Sequence, residues 1–243
     1  MDLDVVQAGY TTYGQLAGIL MLDSQSPRAP GDLGNALSFS FPVRYGIATG
    51  FPFNDLLTGH KQNLPIVIET VRALQKEGVR FIAADCGLFS IFHEELSQSC
   101  AIPFISSSLM LIPFLRKMLP ARMIGVLTGD ARILSNDHLT PVGASLENIV
   151  WQGMENSPEF SRVVIKREGD LSLTRLQAEV IAAGLQLVHK NPGIGAVILE
   201  CTNLITFKKA LQVRLRLPVY DLLSLVGLIA DGFIYKEFTP TFV

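Results

Sequence analysis

The chain has 243 residues, 49% of them hydrophobic and 17% charged, with a net charge of −2. That length holds one large α/β core or two of about 100 residues each, and a charge near zero without a basic run gives nucleic acid no electrostatic footprint. The longest apolar stretch, Leu222 to Ile234, is broken by Ser224 and Asp231 and falls short of the roughly 20 residues a bilayer span needs, so a small molecule is the expected partner, with neither nucleic acid nor membrane.

Met1-Asp2-Leu3-Asp4 carries acids where a secretory signal carries Lys or Arg, which makes the cytoplasm the expected compartment. A strand over Ala17 to Met21 is followed by a long run, Leu22 to Asn35, in which turn residues dominate. This run reads either as an ordered surface loop or as a flap over the strand's carboxyl end. As a flap it offers Arg28, whose guanidinium fork matches a carboxylate, and Asn35 as a hydrogen-bonding group for the ligand's other end. A strand over Arg44 to Thr49 and a helix over Asn63 to Lys76, with apolar positions three and four apart, come next. The strand Arg80 to Asp85 runs into Cys86 and Gly87, and the strand Ile102 to Ser106 runs into Ser107 and Ser108. A strand over Met123 to Thr128 ends at Gly129, and a further strand covers Asn148 to Gln152. After a helix over Leu171 to His189, the strand Ala196 to Glu200 runs into Cys201, Thr202 and Asn203; a strand over Leu217 to Tyr220 and a helix over Leu222 to Tyr235 follow.

Short apolar strands alternating with helices predict parallel sheets joined by crossovers. Fully apolar strands such as Phe81-Ile82-Ala83-Ala84 imply sheets covered on both faces. An internal echo divides the chain. Gly78 to Gly87 matches Gly193 to Thr202 with the cysteines in register (201 − 86 = 115), and Ile102-Pro103-Phe104 matches Leu217-Pro218-Val219 at the same offset. Gly18-Ile19-Leu20 also resembles Gly125-Val126-Leu127, at an offset of 107. The expected fold is therefore α/β with two pseudo-symmetric lobes, each a mainly parallel sheet flanked by helices, and an active site in the cleft between them. Residues 1–115 with 216–243 are expected to form the N-terminal lobe and 116–215 the second.

Each repeat places a thiol where a strand ends and a helix begins, and carboxyl ends of parallel strands face the ligand crevice. Singly, Cys86 and Cys201 read as small buried apolar residues, the usual fate of free cysteines; their matched placement after Asp85 and Glu200 points to function. Regular alternation would turn Asp85 and Glu200 away from the thiols. A helix N-terminus favours the thiolate through its dipole and free N–H groups. The third cysteine, Cys100, has no repeat counterpart and reads as structural. His60, His93, His138 and His189 are dispersed, and no spacing predicts a metal site.

Val197-Ile198-Leu199-Glu200-Cys201-Thr202-Asn203-Leu204 resembles the second cysteine motif of the aspartate/glutamate/hydantoin racemase superfamily, and Ala84-Asp85-Cys86-Gly87 stands where the first belongs. The resemblance covers the chain from about Ala17 onward. It implies a cofactor-independent isomerase, a racemase or epimerase of an amino acid or related small carboxylate, and admits a homodimer. In such enzymes one cysteine removes the α-proton and the other delivers a proton to the opposite face, roles that fall to Cys86 and Cys201. The N–H groups of Gly87, Thr202 and Asn203 are placed to stabilise the enolate-like charge. Ser106, Ser107 and Ser108 resemble the hydroxyl-rich loop that grips the substrate carboxylate and read equally as a helix cap. Thr128 and Gly129 occupy another cleft-facing loop. Gly87-Leu88 and Thr202-Asn203 replace the Asn-Thr and Thr-His pairs usual in glutamate racemases, so glutamate specificity does not follow. Hydantoin-type racemase, maleate isomerase-like and arylmalonate decarboxylase-like activities share the scaffold, although two retained cysteines weigh against the decarboxylase. A noncatalytic small-ligand-binding protein is the reading from another class. A cysteine hydrolase lacks a histidine placed as its base.

Overall fold

The computed structural model describes residues 8–234; Met1–Asp4, on which the leader reading rests, and Tyr235, the expected end of the last helix, lie outside the described residues. Among the described residues there are eight strands, β1 (Ala17–Leu22), β2 (Val43–Ala48), β3 (Phe81–Ala84), β4 (Phe104–Ile105), β5 (Met123–Thr128), β6 (Ile149–Gly153), β7 (Ile194–Leu199) and β8 (Val219–Tyr220). They form two four-stranded parallel sheets with the same order, β2-β1-β3-β4 and β6-β5-β7-β8.

Alternation along the strands assigns each side chain to one of two cores. Ile19, Phe81 and Ala83 of the first sheet and Ile124, Val126, Ala196 and Ile198 of the second share one cluster. The helices Leu111–Met118 and Leu222–Asp231 supply Leu111, Ile112, Leu115, Leu222, Leu225 and Val226 to that cluster, which joins the lobes. The intervening residues face outward. Leu20, Ile82 and Ala84 pack under the helix Leu64–Lys76, whose buried positions Leu64, Val67, Val71 and Leu74 lie on one face. Each of the Leu, Ile and Val side chains among them contributes roughly 1.5–3 kcal/mol as an upper bound. Leu127, Val197 and Leu199 meet the helix Leu173–Lys190 in the same way through Leu176, Val180 and Leu187.

The 115-residue echo is visible in three dimensions. The 3-10 helices Gly87–Phe92 and Thr202–Phe207 and the α-helices that follow them, His93–Gln98 and Lys208–Leu215, begin at positions separated by that offset. One expectation needs correction. The expected first lobe includes residues 216–243, of which 235–243 lie outside the described residues, yet β8 pairs with β7 in the second sheet, because Leu217-Pro218-Val219 repeats within its own half what Ile102-Pro103-Phe104 does beside β3. Only beyond β8 does the chain return, with Phe233 stacked on Phe81 at 6.1 Å between ring centroids. Among the described residues no helix is long and apolar enough to cross a membrane.

Candidate active site

The central strands of both sheets end at one cavity of about 210 Å³. Leu22 follows from β1, Asp85 and Cys86 from β3, Thr128 and Gly129 from β5, and Glu200 and Cys201 from β7; all line it. The two thiols thus come from opposite halves of the chain and share a cavity. Each cysteine has extended backbone and sits at the N-cap of its 3-10 helix. Each sulfur is approached by the backbone N–H two residues on, that of Leu88 for Cys86 and that of Asn203 for Cys201.

A hydrogen-bonded chain links the two thiol loops. The Cys201 Sγ donates to Asn203 Oδ1 at 3.5 Å, and Asn203 Nδ2 donates to Asp32 Oδ2 at 2.8 Å. Asp32 accepts from Arg28 Nη1 at 3.0 Å, and Arg28 Nη2 reaches Asp85 Oδ2 at 2.8 Å. Asp85 Oδ1 accepts the Leu22 N–H at 3.0 Å. Thr202 Oγ1 closes the circuit by donating to the Asp85 carbonyl at 2.6 Å. The loop after β1 therefore bridges the lobes. Gly31, at φ +107°, lies so close to Thr206 that a Cβ would stand 2.7 Å from its Cα, and Thr206 Oγ1 donates to Pro30 O.

Glu200 is the repeat counterpart of Asp85 but has different company. Its Oε2 accepts the Thr128 hydroxyl at 2.7 Å and the carboxylate also receives the Gly129 N–H, whereas Oε1 is buried without a hydrogen-bond partner among the described residues. Gly87 makes room for it, since a Cβ there would stand 2.5 Å from the Glu200 backbone oxygen and overlap the carboxylate. Burial raises the Glu200 pKa to about 7 against the pull of these donors. Burial likewise raises Asp85 to about 6, opposed by Arg28. For Arg28, burial works against the charge, but Asp85 and Asp32 outweigh it and hold the guanidinium protonated.

Both thiols are pushed up, first by burial and then by the Glu200 charge, with Asp85 adding to the effect on Cys86. The expected thiolates are therefore corrected. Desolvation and the neighbouring carboxylates favour the neutral form of both thiols, against what the helix termini supply. The expectation that Asp85 and Glu200 turn away also fails, because regular strand geometry stops before them at Ala84 and Leu199, and both line the cavity.

Of the residues singled out from sequence, Cys86, Cys201, Thr128, Gly129, Thr202, Asn203 and Arg28 line the cavity. Gly87, Ser106, Ser107, Ser108 and Asn35 do not. Ser106 Oγ pairs with His93 Nδ1 at 3.0 Å, Ser107 caps the next 3-10 turn, and Ser108 Oγ donates to the Leu199 carbonyl at 2.8 Å. All three are fully buried, so capping and a tie between lobes account for them. Asn35 Oδ1 accepts the Leu37 N–H while its Nδ2 donates to Arg28 O, which fixes the loop from outside the cavity. Arg28 lies at the wall but is held by two carboxylates, contrary to its expected freedom to bind a ligand. Sequence reasoning missed Asp32, whose signal was its place in Gly31-Asp32-Leu33-Gly34, where it accepts the Gly34 N–H at 2.7 Å. It also missed the apolar wall of Phe53, Ile133, Phe160 and Val164, and Arg167. Among the described residues no histidine lines the cavity, which leaves a cysteine hydrolase without its base.

Residues 44–226 match the family model described as Asp/Glu/Hydantoin racemase. A dimethylsulfoniopropionate lyase of Durusdinium sp. clade D is 28% identical over 229 residues, which cover 89% of this chain and 74% of that protein. Dimethylsulfoniopropionate lyases of Emiliania huxleyi (strain CCMP1516) are 26% to 27% identical, and the chain spans only 44% to 64% of their length. Among solved structures, unliganded arylmalonate decarboxylase superposes with a TM-score of 0.60 at 12% identity, covering 91% of this chain and 94% of the other. Allantoin racemase from Klebsiella pneumoniae also gives 0.60, at 16% identity over 90% and 87% of the two chains. At these identities the structural likeness speaks for the fold.

Proposed function

The chain belongs to the Asp/Glu/hydantoin racemase family, and from that premise we propose that it is a cofactor-independent racemase or epimerase of an amino acid or related small carboxylate, with Cys86 and Cys201 as its acid/base pair. The observation that carries this reading is that the two thiols, 115 residues apart in matched positions of the two repeats, line the same cavity. Inversion at carbon passes through a planar carbanion, and a proton donor from each half allows either hand to be made. Turnover requires one sulfur of the pair as a thiolate, which takes the α-proton and becomes a thiol, while its neutral partner gives a proton to the opposite face and becomes the thiolate. The N–H groups of Leu88 and Asn203 aimed at the sulfurs stabilise whichever thiol gives up its proton.

Elimination is the second reading, favoured by the relatives named dimethylsulfoniopropionate lyases that align with 89% or less of the chain. It begins with the same proton removal and differs in what leaves next. Incubation in D2O with amino acids, hydantoins, substituted malonates and dimethylsulfoniopropionate, followed by proton NMR, tests both. Deuterium entering next to the carboxylate with loss of optical purity supports racemisation; release of dimethyl sulfide supports the lyase. Neither exchange nor product across the panel would overturn the carbon-acid reading.

A further inference from the structure

We propose that Arg167 receives the substrate's carboxylate at the mouth of the cavity; this rests on the reading of the substrate as a small carboxylate. The cations among the residues lining the cavity are Arg28 and Arg167. Arg28 is committed, since Asp32 and Asp85 take both of its terminal nitrogens. The lining carboxylate Asp130 is in turn matched by Arg132. An entering anion therefore meets an Arg28 shared by two carboxylates, a matched Asp130 and the unbalanced Glu200, and needs a cation that no carboxylate holds.

Arg167 meets that description. It is exposed, and its contact among the described residues is with an aromatic ring, not a carboxylate. Its guanidinium lies 5.9 Å from the ring centroid of Phe53, a residue of the other lobe, so the side chain reaches across the cavity mouth. The loop that presents it is fixed. Arg162, anchored by Glu159 at 3.0 Å, donates to the Glu168 carbonyl at 2.7 Å and to the Asp170 carbonyl at 2.8 Å, just beyond Arg167. Arg167 itself has φ +60° and Gly169 φ +67°, a left-handed turn that a side-chain-bearing residue adopts at a cost. A pinned, strained turn holding an unpaired guanidinium over an apolar ring suits bidentate capture of a carboxylate.

The test uses two small alkylating reagents of nearly equal size, anionic iodoacetate and neutral iodoacetamide, at about pH 9 on the full chain. In each case the thiolate sulfur displaces iodide, the S–C bond forms as the C–I bond breaks, and the thiol proton passes to buffer. Peptide mass spectrometry reads Cys86 and Cys201, with Cys100 outside the cavity as reference. Arg167→Gln is expected to lower the iodoacetate-to-iodoacetamide rate ratio at the cavity thiols at least tenfold. Arg167→Lys restores part of it, and Lys166→Gln, which removes the neighbouring exposed charge, leaves it unchanged. A ratio in Arg167→Gln within twofold of wild type overturns the proposal, as does an equal fall in Lys166→Gln or wild-type cavity thiols that react with iodoacetamide but not with iodoacetate. Alkylation requires no turnover, so absence of proton exchange in D2O would sink the racemase reading and leave this result to be read separately.

Discussion

The hydroxyl of Thr202 donates to the backbone carbonyl of Asp85 at 2.6 Å, so the residue after one cysteine is tied to the residue before the other. Both groups are buried. Thr202→Val keeps the shape, removes the donor and leaves that carbonyl without it, a loss of about 1–3 kcal/mol. Because the bond sets the spacing of the two thiol loops, turnover is expected to fall about tenfold or more. Thermal melts and proton-exchange rates on the same sample check this. A lower melting point with undiminished exchange would reduce the bond to a structural tie.

Cys86→Ser and Cys201→Ser are each expected to abolish interconversion, because a hydroxyl is a far weaker acid than a thiol and one face loses its proton carrier. Melting points should move by only a few degrees, since the replacement is close to isosteric. Polarimetry together with proton exchange reads the outcome. Wild-type-like turnover by either variant would refute the two-thiol mechanism.

Glu200 gives a pH signature. Its pKa rises from an ordinary 4.5 to about 7 on folding, chiefly through burial, so the folded state holds a proton that the unfolded state has released. Stability from this group is present below about pH 4.5 and is lost as the pH rises through 7. Glu200→Gln is expected to gain up to about 3 kcal/mol over wild type at pH 8 and to show little difference at pH 4. It should also speed alkylation of Cys86 and Cys201, whose thiols the Glu200 charge pushes up. Parallel pH–stability curves for the two proteins would contradict this account.

The Arg28–Asp85 pair is buried and therefore costly to break. Arg28→Met strips the cation from Asp85 and Asp32, both 1% exposed, at a cost on the order of 3–5 kcal/mol. Burial already raises Asp85, and loss of Arg28 raises it further, so protonation relieves the damage at pH 5 and not at pH 8. The double variant with Asp85→Asn is expected to recover at least about 1 kcal/mol relative to the sum of the singles. Simple additivity in denaturant melts would show that the two side chains do not act together.

Strand ends and repeat offset were legible because they are properties of pattern. Apolar runs of the right length marked all eight strands, and the matched Asp85-Cys86 and Glu200-Cys201 pairs marked the cavity. Long-range pairing was not legible. Nothing in the sequence shows that Arg28 meets Asp32 four residues on and Asp85 just beyond β3, or that Arg162 fixes the turn under Arg167. Ser106, Ser107 and Ser108 look the same whether they bind a ligand or cap a helix, and Ser108 is decided by a bond to Leu199 in the other half. The thiols were misjudged for a related reason: a helix start is visible in sequence, while the depth of its burial and the nearness of Glu200 are not.

The halves agree in backbone but not in charge, since Asp85 carries Arg28 while Glu200 carries a hydroxyl and an N–H. If the proposed racemase reading holds, a molecule exchanged between mirror-image forms meets unequal walls here, yet mirror images in water have the same free energy, so the specificity constants of the two directions are forced to be equal. On that reading the imbalance is expected to surface as paired differences, a tighter Michaelis constant with a slower turnover number for one hand and the reverse for the other, in strict proportion. Where the product leaves as two fragments, no such proportionality binds the constants.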